Sequence, residues 1–352
     1  MGNSASNGFG KRTTAQEAVR DISLAGRTII VTGANCGVGF EAARVFAQQG
    51  AHVVLGCRTA SKADAAVSLL RERTGNDTVE SIPLDLASFA SVRSFVDEFN
   101  ARDLPLHALV NNAGVMGTPH SHTEDGFEMQ FGTNHMGHFL LTHLLLPKLL
   151  ATATPEVPAR VVNLASTAHN LGGPNFDDLN MEKGYAPWTA YGRSKSCNIL
   201  FTMELAKRYG DQHLIACAVH PGVIPTELGR NNVFASLFYT FGRLFMKSHA
   251  QGAATTVYCT TAPEILAESP DDPLHAPNGN GRYYADCNLE RTASHITEEA
   301  AARLWDVSLE LAGLVDKADD ESADEHVDEA DEQASSSTSS SLSPAAAAAS
   351  SD

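Results

Sequence analysis

The stretch "IIVTGANCGVGFEAAR", residues 29 to 44, decides how the rest of the chain is read. An apolar run of the kind found in buried strands passes into a glycine-rich turn and then into a helical pattern. The glycines stand at 33, 37 and 39, a G-x-x-x-G-x-G spacing in place of the common G-x-G-x-x-G dinucleotide fingerprint. A helix N-terminus offers unpaired N–H groups and the positive end of the helix dipole, so such a turn attracts phosphate. Gly33 suits a tight exit from the strand, Gly37 a close approach by pyrophosphate and Gly39 the packing of helix on sheet. Taken alone, the same letters also fit an ordinary strand-to-helix turn.

Working outward, short apolar runs alternate with helix-length segments. "TIIVTG" (28–33), "AHVVLGC" (51–57), "TVESIPLD" (78–85), "HALVNNAG" (107–114), "RVVNLAS" (160–166) and "LIACAVHPG" (214–222) read as strands. The expected fold is α/β: a doubly wound, Rossmann-type, mostly parallel sheet with helices on both faces. Right-handed crossovers then put ligands at the carboxyl ends of the strands, where the polar letters of these motifs cluster. The expected organisation is a flexible segment 1–21, one catalytic domain 22–314, and a tail 315–352. That tail, "ADDESADEHVDEADEQASSSTSSS" and onward, is too poor in apolar residues to offset its ordering entropy and is expected to be disordered.

The net charge of −17 belongs largely to the tail: residues 316–352 hold 11 acids and one lysine, leaving −7 on residues 1–315. No basic stripe is present, which argues against a nucleic-acid partner. The six cysteines are scattered and show no metal-ligand spacing, so the expectation is reduced thiols, no metal and a cytoplasmic setting. The first 25 residues lack a signal-peptide core. The most apolar helix candidate, "FLLTHLLLPKLL" from Phe139, is too short to span a bilayer and is expected to break at Pro147 and Lys148.

The second strand selects the nucleotide. NAD binders place an acid about 20 residues after the glycines to accept the ribose 2′-hydroxyl, whereas an arginine there suits a 2′-phosphate. This strand ends "LGCR" with no acid, and Arg58 stands ready for a bidentate, charge-assisted pair. The cofactor expected is NADP(H). Asn35, Cys36 and Val38 complete the glycine turn. Asp85, with Leu86, is positioned to meet the adenine amino group, and Asn112, Ala113 and Gly114 to flank the adenosine; turn formation is the competing reading for each.

"YGRSK" supplies the chemistry. Tyr191 and Lys195 share one helix face, and an ammonium beside a phenol lowers its pKa toward the working range. Ser166, at a strand end, can hold a carbonyl oxygen or simply form a loop. Asn134 in "TNHMGHF" can serve catalysis or cap the apolar helix it begins.

Together, "TGANCGVG", "NNAG", "TNHMGHF", "NLAS", "YGRSK" and "HPG" resemble the short-chain dehydrogenase/reductase superfamily over residues 25 to 313. The wording "NHMGHFLLT" and "YGRSKSCNILF" is similar to its retinol dehydrogenase and WW-domain oxidoreductase-like group. The resemblance implies Tyr191 as acid/base and Lys195 as ribose ligand and modulator of the tyrosine. It also implies Ser166 as carbonyl anchor and Asn134 as holder of a relay water. Pro221, Gly222, Val223 and Thr226 would then contact the nicotinamide. The family usually has serine where Cys36 stands. The activity implied is NADP(H)-dependent interconversion of a lipophilic carbonyl and its alcohol, chiefly in the reductive direction. A protochlorophyllide-type reductase and a low-turnover NADP(H)-sensing interaction protein are the alternatives. A homo-oligomer stays open.

After "HPG", residues Phe234, Leu237, Phe238, Phe241 and Phe245 form an apolar helical stripe, read as a core-packing helix or a lid for a lipophilic substrate. Arg243 and Lys247 beside it fit contact with a bilayer. "MGNSAS" fits the M-G-x-x-x-S pattern of N-myristoylation at Gly2, which chance in a serine-rich terminus also produces, and which would make the protein peripheral at a membrane.

Overall fold

Each strand that the sequence announces pairs into one sheet in the computed structural model, which describes residues 7–224, 246–266 and 279–315. The described residues form a body ending at Ser308, with Leu309–Val315 belonging to a separate short unit. A capped turn of helix, α1 (Ala15–Val19), precedes β1 (Thr28–Thr32), α2 (Gly37–Gln48), β2 (His52–Cys57), α3 (Ala60–Thr74), β3 (Glu80–Pro83), α4 (Phe89–Asn100) and β4 (Ala108–Asn111). There follow α5 (Met129–Phe131), a π-helical turn (Gly132–Met136), α6 (Gly137–Thr152), β5 (Ala159–Leu164), α7 (Pro187–Tyr209) and β6 (Leu214–His220). The described chain ends with α8 (His249–Gly252), α9 (Ala254–Thr261), β7 (Arg282–Ala285), β8 (Asn288–Leu289) and α10 (Glu298–Leu311).

The sheet order is β3-β2-β1-β4-β5-β6-β7-β8, parallel except for the last pair. The chain leaves β1 toward β2 on one side and later returns to β4 on the other, so a crevice opens where the winding reverses. β1, β4 and β5 are buried at every position, as expected of strands covered on both faces. This is the doubly wound fold expected from the alternation of apolar runs and helices.

Two elements escape the sequence pattern. β7 and β8 form a hairpin closed by Asp286 and Cys287, both with positive φ (54° and 62°). A two-residue turn of that handedness normally takes Asn or Gly, so the letters "DC" give no hairpin signal. The second is Pro147, which lies inside α6 without ending it, contrary to expectation. The proline removes one N–H bond, but the helix buries Phe139, Leu140, Leu141, Leu145, Leu146 and Leu149, and that burial outweighs the local loss. No described helix is long and apolar enough to cross a membrane. Gly2, Ser6, most of the aromatic stripe segment and the acidic tail from Asp316 lie outside the described residues.

His135 sits fully buried, stacked on Phe131 at 5.5 Å and hydrogen-bonded through Nε2 to Ser308 Oγ at 3.0 Å. Burial holds it neutral, pushing its pKa down to about 3, and His138 falls to about 4 for the same reason. An unfolded histidine titrates near 6.5, so between these values the unfolded chain binds protons the folded chain refuses. Stability is therefore complete above about pH 6.5 and declines toward pH 4, with a limiting slope of about 1.4 kcal/mol per pH unit for each histidine. Urea denaturation from pH 7 to 4.5 should show this decline, and His135→Gln should make it shallower; equal slopes would refute the assignment.

Candidate active site

The carboxyl ends of β1, β4, β5 and β6 bring the motif residues to one edge of the sheet. Gly33 leaves β1 with φ of 65°, and a Cβ there would stand 2.9 Å from the Cα and Cβ of Ala113. Gly39 packs so closely that a Cβ would overlap the side-chain amide of Asn112. Gly37, by contrast, faces open space. Cys36 occupies the N-cap of α2 without capping it through its side chain, and the first turn holds no acid. The leading N–H groups of a 12-residue helix are thus left to an outside anion. Val38 turns its side chain into the core and Leu86 is buried, so these two offer only main chain to a ligand.

Beside this turn a cleft of about 440 Å³ is lined by Asn35, Cys36, Phe40 and Lys62. Lys62 had no signal in the sequence, because one lysine on an exposed helix face looks like any other. Arg58 is exposed directly after β2, and among the described residues no carboxylate pairs with it. Asp85 starts the turn into α4: its Oδ1 accepts the Ala87 N–H at 3.0 Å, and its own N–H donates to Ser91 Oγ at 2.9 Å. The uncapped helix end, the open glycine and the free cations fit a phosphate-bearing dinucleotide.

A buried network joins this turn to the helix that carries Tyr191 and Lys195. Thr32 Oγ1 accepts the N–H groups of Asn112 and Ala113, each at 2.9 Å. Its proton is then available for His138 Nε2 at 2.9 Å. That assigns the neutral Nδ1–H tautomer to His138, which donates to the carbonyl of Asn134 at 3.0 Å. Asn112 Nδ2 adds a bond to the Thr32 carbonyl at 2.8 Å.

Asn134 does not cap the helix. It lies inside the π turn, a geometry that re-aims one side chain within a helical run. Its Oδ1 accepts from the Val115 N–H at 2.8 Å, and its Nδ2 donates to the Val115 carbonyl and to Ser194 Oγ, both at 2.9 Å. Ser194 Oγ in turn donates to the Tyr191 carbonyl at 2.8 Å. His138 and Ser194 were missed in the sequence. Their signal was spacing: four residues after Asn134, and three after Tyr191, on helices already expected.

Ser166 caps a short 3-10 turn, accepting the Ala168 N–H at 3.1 Å, and its hydroxyl lies close enough to the Tyr191 phenol to favour its ionised form. His169 fixes the Ser166 backbone, donating from Nδ1 to its carbonyl at 2.7 Å while Nε2 accepts the Ala293 N–H at 3.2 Å. Lys195 is buried and gives its Nζ proton to the Leu164 carbonyl at 2.9 Å. It lies 5.6 Å from the centre of the Tyr191 ring. Burial pushes Tyr191 up to about 12, which the Ser166 hydroxyl only moderates, and pushes Lys195 down to about 8. Desolvation is the larger influence on both groups, and Lys195 makes its hydrogen bond to a carbonyl and not to the phenol.

Pro221, Gly222 and Val223 follow β6, with Val223 exposed and its carbonyl bonded by the Lys247 N–H at 2.9 Å. Thr226, Phe234, Leu237, Phe238, Phe241 and Phe245 lie outside the described residues. Lys247 is not a surface cation facing a bilayer: it is buried beneath Gly222 and paired with Asp286 at 2.5 Å. A hairpin carboxylate that the sequence did not announce draws it inward.

A nucleotide-cradling turn joined to a Ser-Tyr-Lys set on a doubly wound sheet defines a nicotinamide-dependent oxidoreductase. The family model for short chain dehydrogenase matches residues 27–234. Mouse retinol dehydrogenase 12 is 43% identical over 295 residues, covering 84% of this chain and 89% of that protein. The crystal structure of an uncharacterized protein from Mycobacterium paratuberculosis matches with TM-score 0.64 at 35% identity, covering 84% of this chain and 97% of that one. The Pseudomonas aeruginosa RhlG/NADP active-site complex matches with TM-score 0.56 at 26% identity, covering 68% and 91% respectively. The chain belongs to the short chain dehydrogenase family, in its retinol dehydrogenase-like group, and is an oxidoreductase acting between alcohol and carbonyl.

Thr32→Val tests the network. It keeps the shape but leaves the Ala113 N–H and His138 Nε2 without their partner, the Asn112 N–H keeping the Val110 carbonyl at 2.9 Å, at roughly 1–3 kcal/mol for each group left unpaired. Equilibrium urea denaturation should report a loss of that order, and a variant as stable as the parent would remove Thr32 from this role.

Proposed function

We propose that the protein reduces a lipophilic carbonyl compound, such as a retinal-like or lipid aldehyde or a ketone, to its alcohol with NADPH. The observation that carries this reading is a buried Lys195 whose Nζ lies 5.6 Å from the centre of the Tyr191 ring, with the Ser166 hydroxyl acting on the same phenol. The dinucleotide, when bound, supplies the hydride. Gly33, Gly37 and Gly39 admit its pyrophosphate to the start of α2, and Arg58 with Lys62 meets the 2′-phosphate. Asp85 and Asn112 to Gly114 border the adenosine, while Pro221 to Val223 and Thr226 border the nicotinamide.

Ser166 holds the substrate oxygen and Tyr191 donates the proton to it. Burial keeps the phenol protonated at neutral pH, so it holds the proton that reduction consumes, although a pKa this high makes its release depend on stabilisation of the phenolate. Lys195, as ammonium, stabilises the phenolate left behind. Asn134 keeps α7 and the Val115 turn in register. The retinol dehydrogenase relative and the aromatic stripe from Phe234 to Phe245 support a lipophilic substrate. Myristoylation at Gly2, together with that stripe, would add peripheral attachment to a membrane.

Three measurements bear on this reading. Arg58→Ala should weaken NADPH binding roughly 10- to 100-fold, the worth of a charge-assisted bond, while NADH binding hardly changes; an unchanged preference would remove the NADP(H) assignment. Tyr191→Phe should keep NADPH binding but cut turnover on retinal or alkanals by about 10²–10⁴. In the parent enzyme kcat/KM for reduction should hold below pH 8 and fall above it, as Lys195 with its pKa of about 8 loses its proton. Lys195→Arg should abolish that alkaline limb because guanidinium stays charged. A limb that survives the substitution would exclude Lys195 as its source.

A further inference from the structure

On the side of the body where the loop after β4 meets the loop before α7, His120, His122 and Glu182 bring one ligand atom each to within 4.8 Å of one another. We propose that these three residues form a zinc-binding site that ties the two loops together. His122 Nε2 stands 3.1 Å from Glu182 Oε1, across 60 residues of sequence. The rings of His120 and His122 are 5.1 Å apart. Two imidazoles and a carboxylate are the donor set zinc takes in open sites, with water completing the tetrahedron. All three side chains are exposed, so the ion enters without opening the fold and water reaches the fourth position.

The supports around the ligands set this group apart from a chance surface cluster. His120 stacks on Tyr185 at 4.5 Å and an interplanar angle of 23°, which fixes its ring plane. The Tyr185 hydroxyl is itself held, donating to the Thr118 carbonyl at 2.8 Å and accepting from Gln130 Nε2 at 3.0 Å. The backbone at His122 is pinned by its antiparallel bridge to Glu128. On the facing loop the Asp178 carboxylate accepts the Glu182 N–H at 2.9 Å and the Lys183 N–H at 3.3 Å. The His120 ring is thus oriented by a neighbour that is not a ligand, and the backbones that carry His122 and Glu182 are fixed by bonds of their own. "HSH" gave no signal in the sequence because the carboxylate arrives only through the fold.

The placement gives the site a consequence. The chain between Val115, which Asn134 holds, and His122 forms one wall, with Gly117 packed against Trp188. Trp188 meets Tyr191 edge-on at 6.3 Å. An ion joining His120 and His122 to Glu182 clamps that wall to the segment leading into α7.

Calorimetric titration of the untagged full chain with zinc chloride alone should show one zinc per chain, with magnesium chloride giving no binding. His122→Ala and Glu182→Gln should each weaken zinc binding by ~10-fold or more. Zinc should also slow amide hydrogen exchange in residues 117–123 and 178–185 of the parent and in neither variant. Parental affinity in either variant, less than one zinc per chain, or no exchange protection in these loops would overturn the site. Neither readout depends on the reaction proposed above.

Discussion

The Thr32 hydroxyl is the constraint on which the rest of the site depends. One buried oxygen accepts two N–H groups from the turn after β4 and offers its own proton to His138. Because a hydroxyl has one proton and two lone pairs, this use is complete. It locks β1 to β4 where their carboxyl ends part to make the crevice, and it fixes the tautomer of His138. Adjacent parallel strands and their glycine turns could otherwise splay at their open ends, since ladder hydrogen bonds stop there. Deeper in the sheet Asn111 repeats the device, giving its Nδ2 protons to Thr142 Oγ1 at 2.9 Å and Asn163 Oδ1 at 2.7 Å. A polar seam thus runs beneath the crevice from the nucleotide turn toward the catalytic helix.

From His138 the constraint passes to Asn134, and the π turn explains why an asparagine is needed there. A regular helix would present residue 134 to a neighbouring helix face. The extra residue in the turn aims it at the Val115 backbone, where a side-chain amide can satisfy an N–H and a C=O together. Its remaining donor reaches Ser194, which reports to the Tyr191 carbonyl. The positions of the nucleotide cradle and of the tyrosine helix are therefore set by one connected set of bonds. Such a network holds best when its members are satisfied, and the Asn134 amide uses its oxygen and both of its N–H groups.

The doubly wound parallel sheet and the strand ends that carry the motifs were legible because apolar strands between helices leave few alternatives. Gly33, Ser166, Tyr191 and Lys195 lie where their motifs suggest. What the letters left out depends on tertiary partners. Lys247 reads as a surface cation until Asp286 folds beneath it, and Asp286 lies in a hairpin whose turn residues carry no hairpin signal. Pro147 reads as a helix end because its local cost is visible and the burial of six neighbours is not. Asn134 reads equally as a cap, since the π turn has no sequence mark. His138 and His169 act through a single tautomer each, and a tautomer is chosen by neighbours.

The titration behaviour of the pair shows the same dependence. Proximity in a helix suggests that Lys195 lowers the tyrosine, and in water or at the surface an ammonium one turn away would do so. Here both groups are withdrawn from solvent, and withdrawal acts on them in opposite senses: it favours the neutral phenol and the neutral amine. The ammonium takes the Leu164 carbonyl as its partner and is left with only a through-space effect on the ring. Desolvation therefore sets both values, leaving the phenol protonated throughout the physiological range. Of the two, Lys195, at about 8, is the one whose charge changes near that range. In the proposed reduction the proton the tyrosine carries is present throughout, and what varies with pH is the charge available to stabilise its loss.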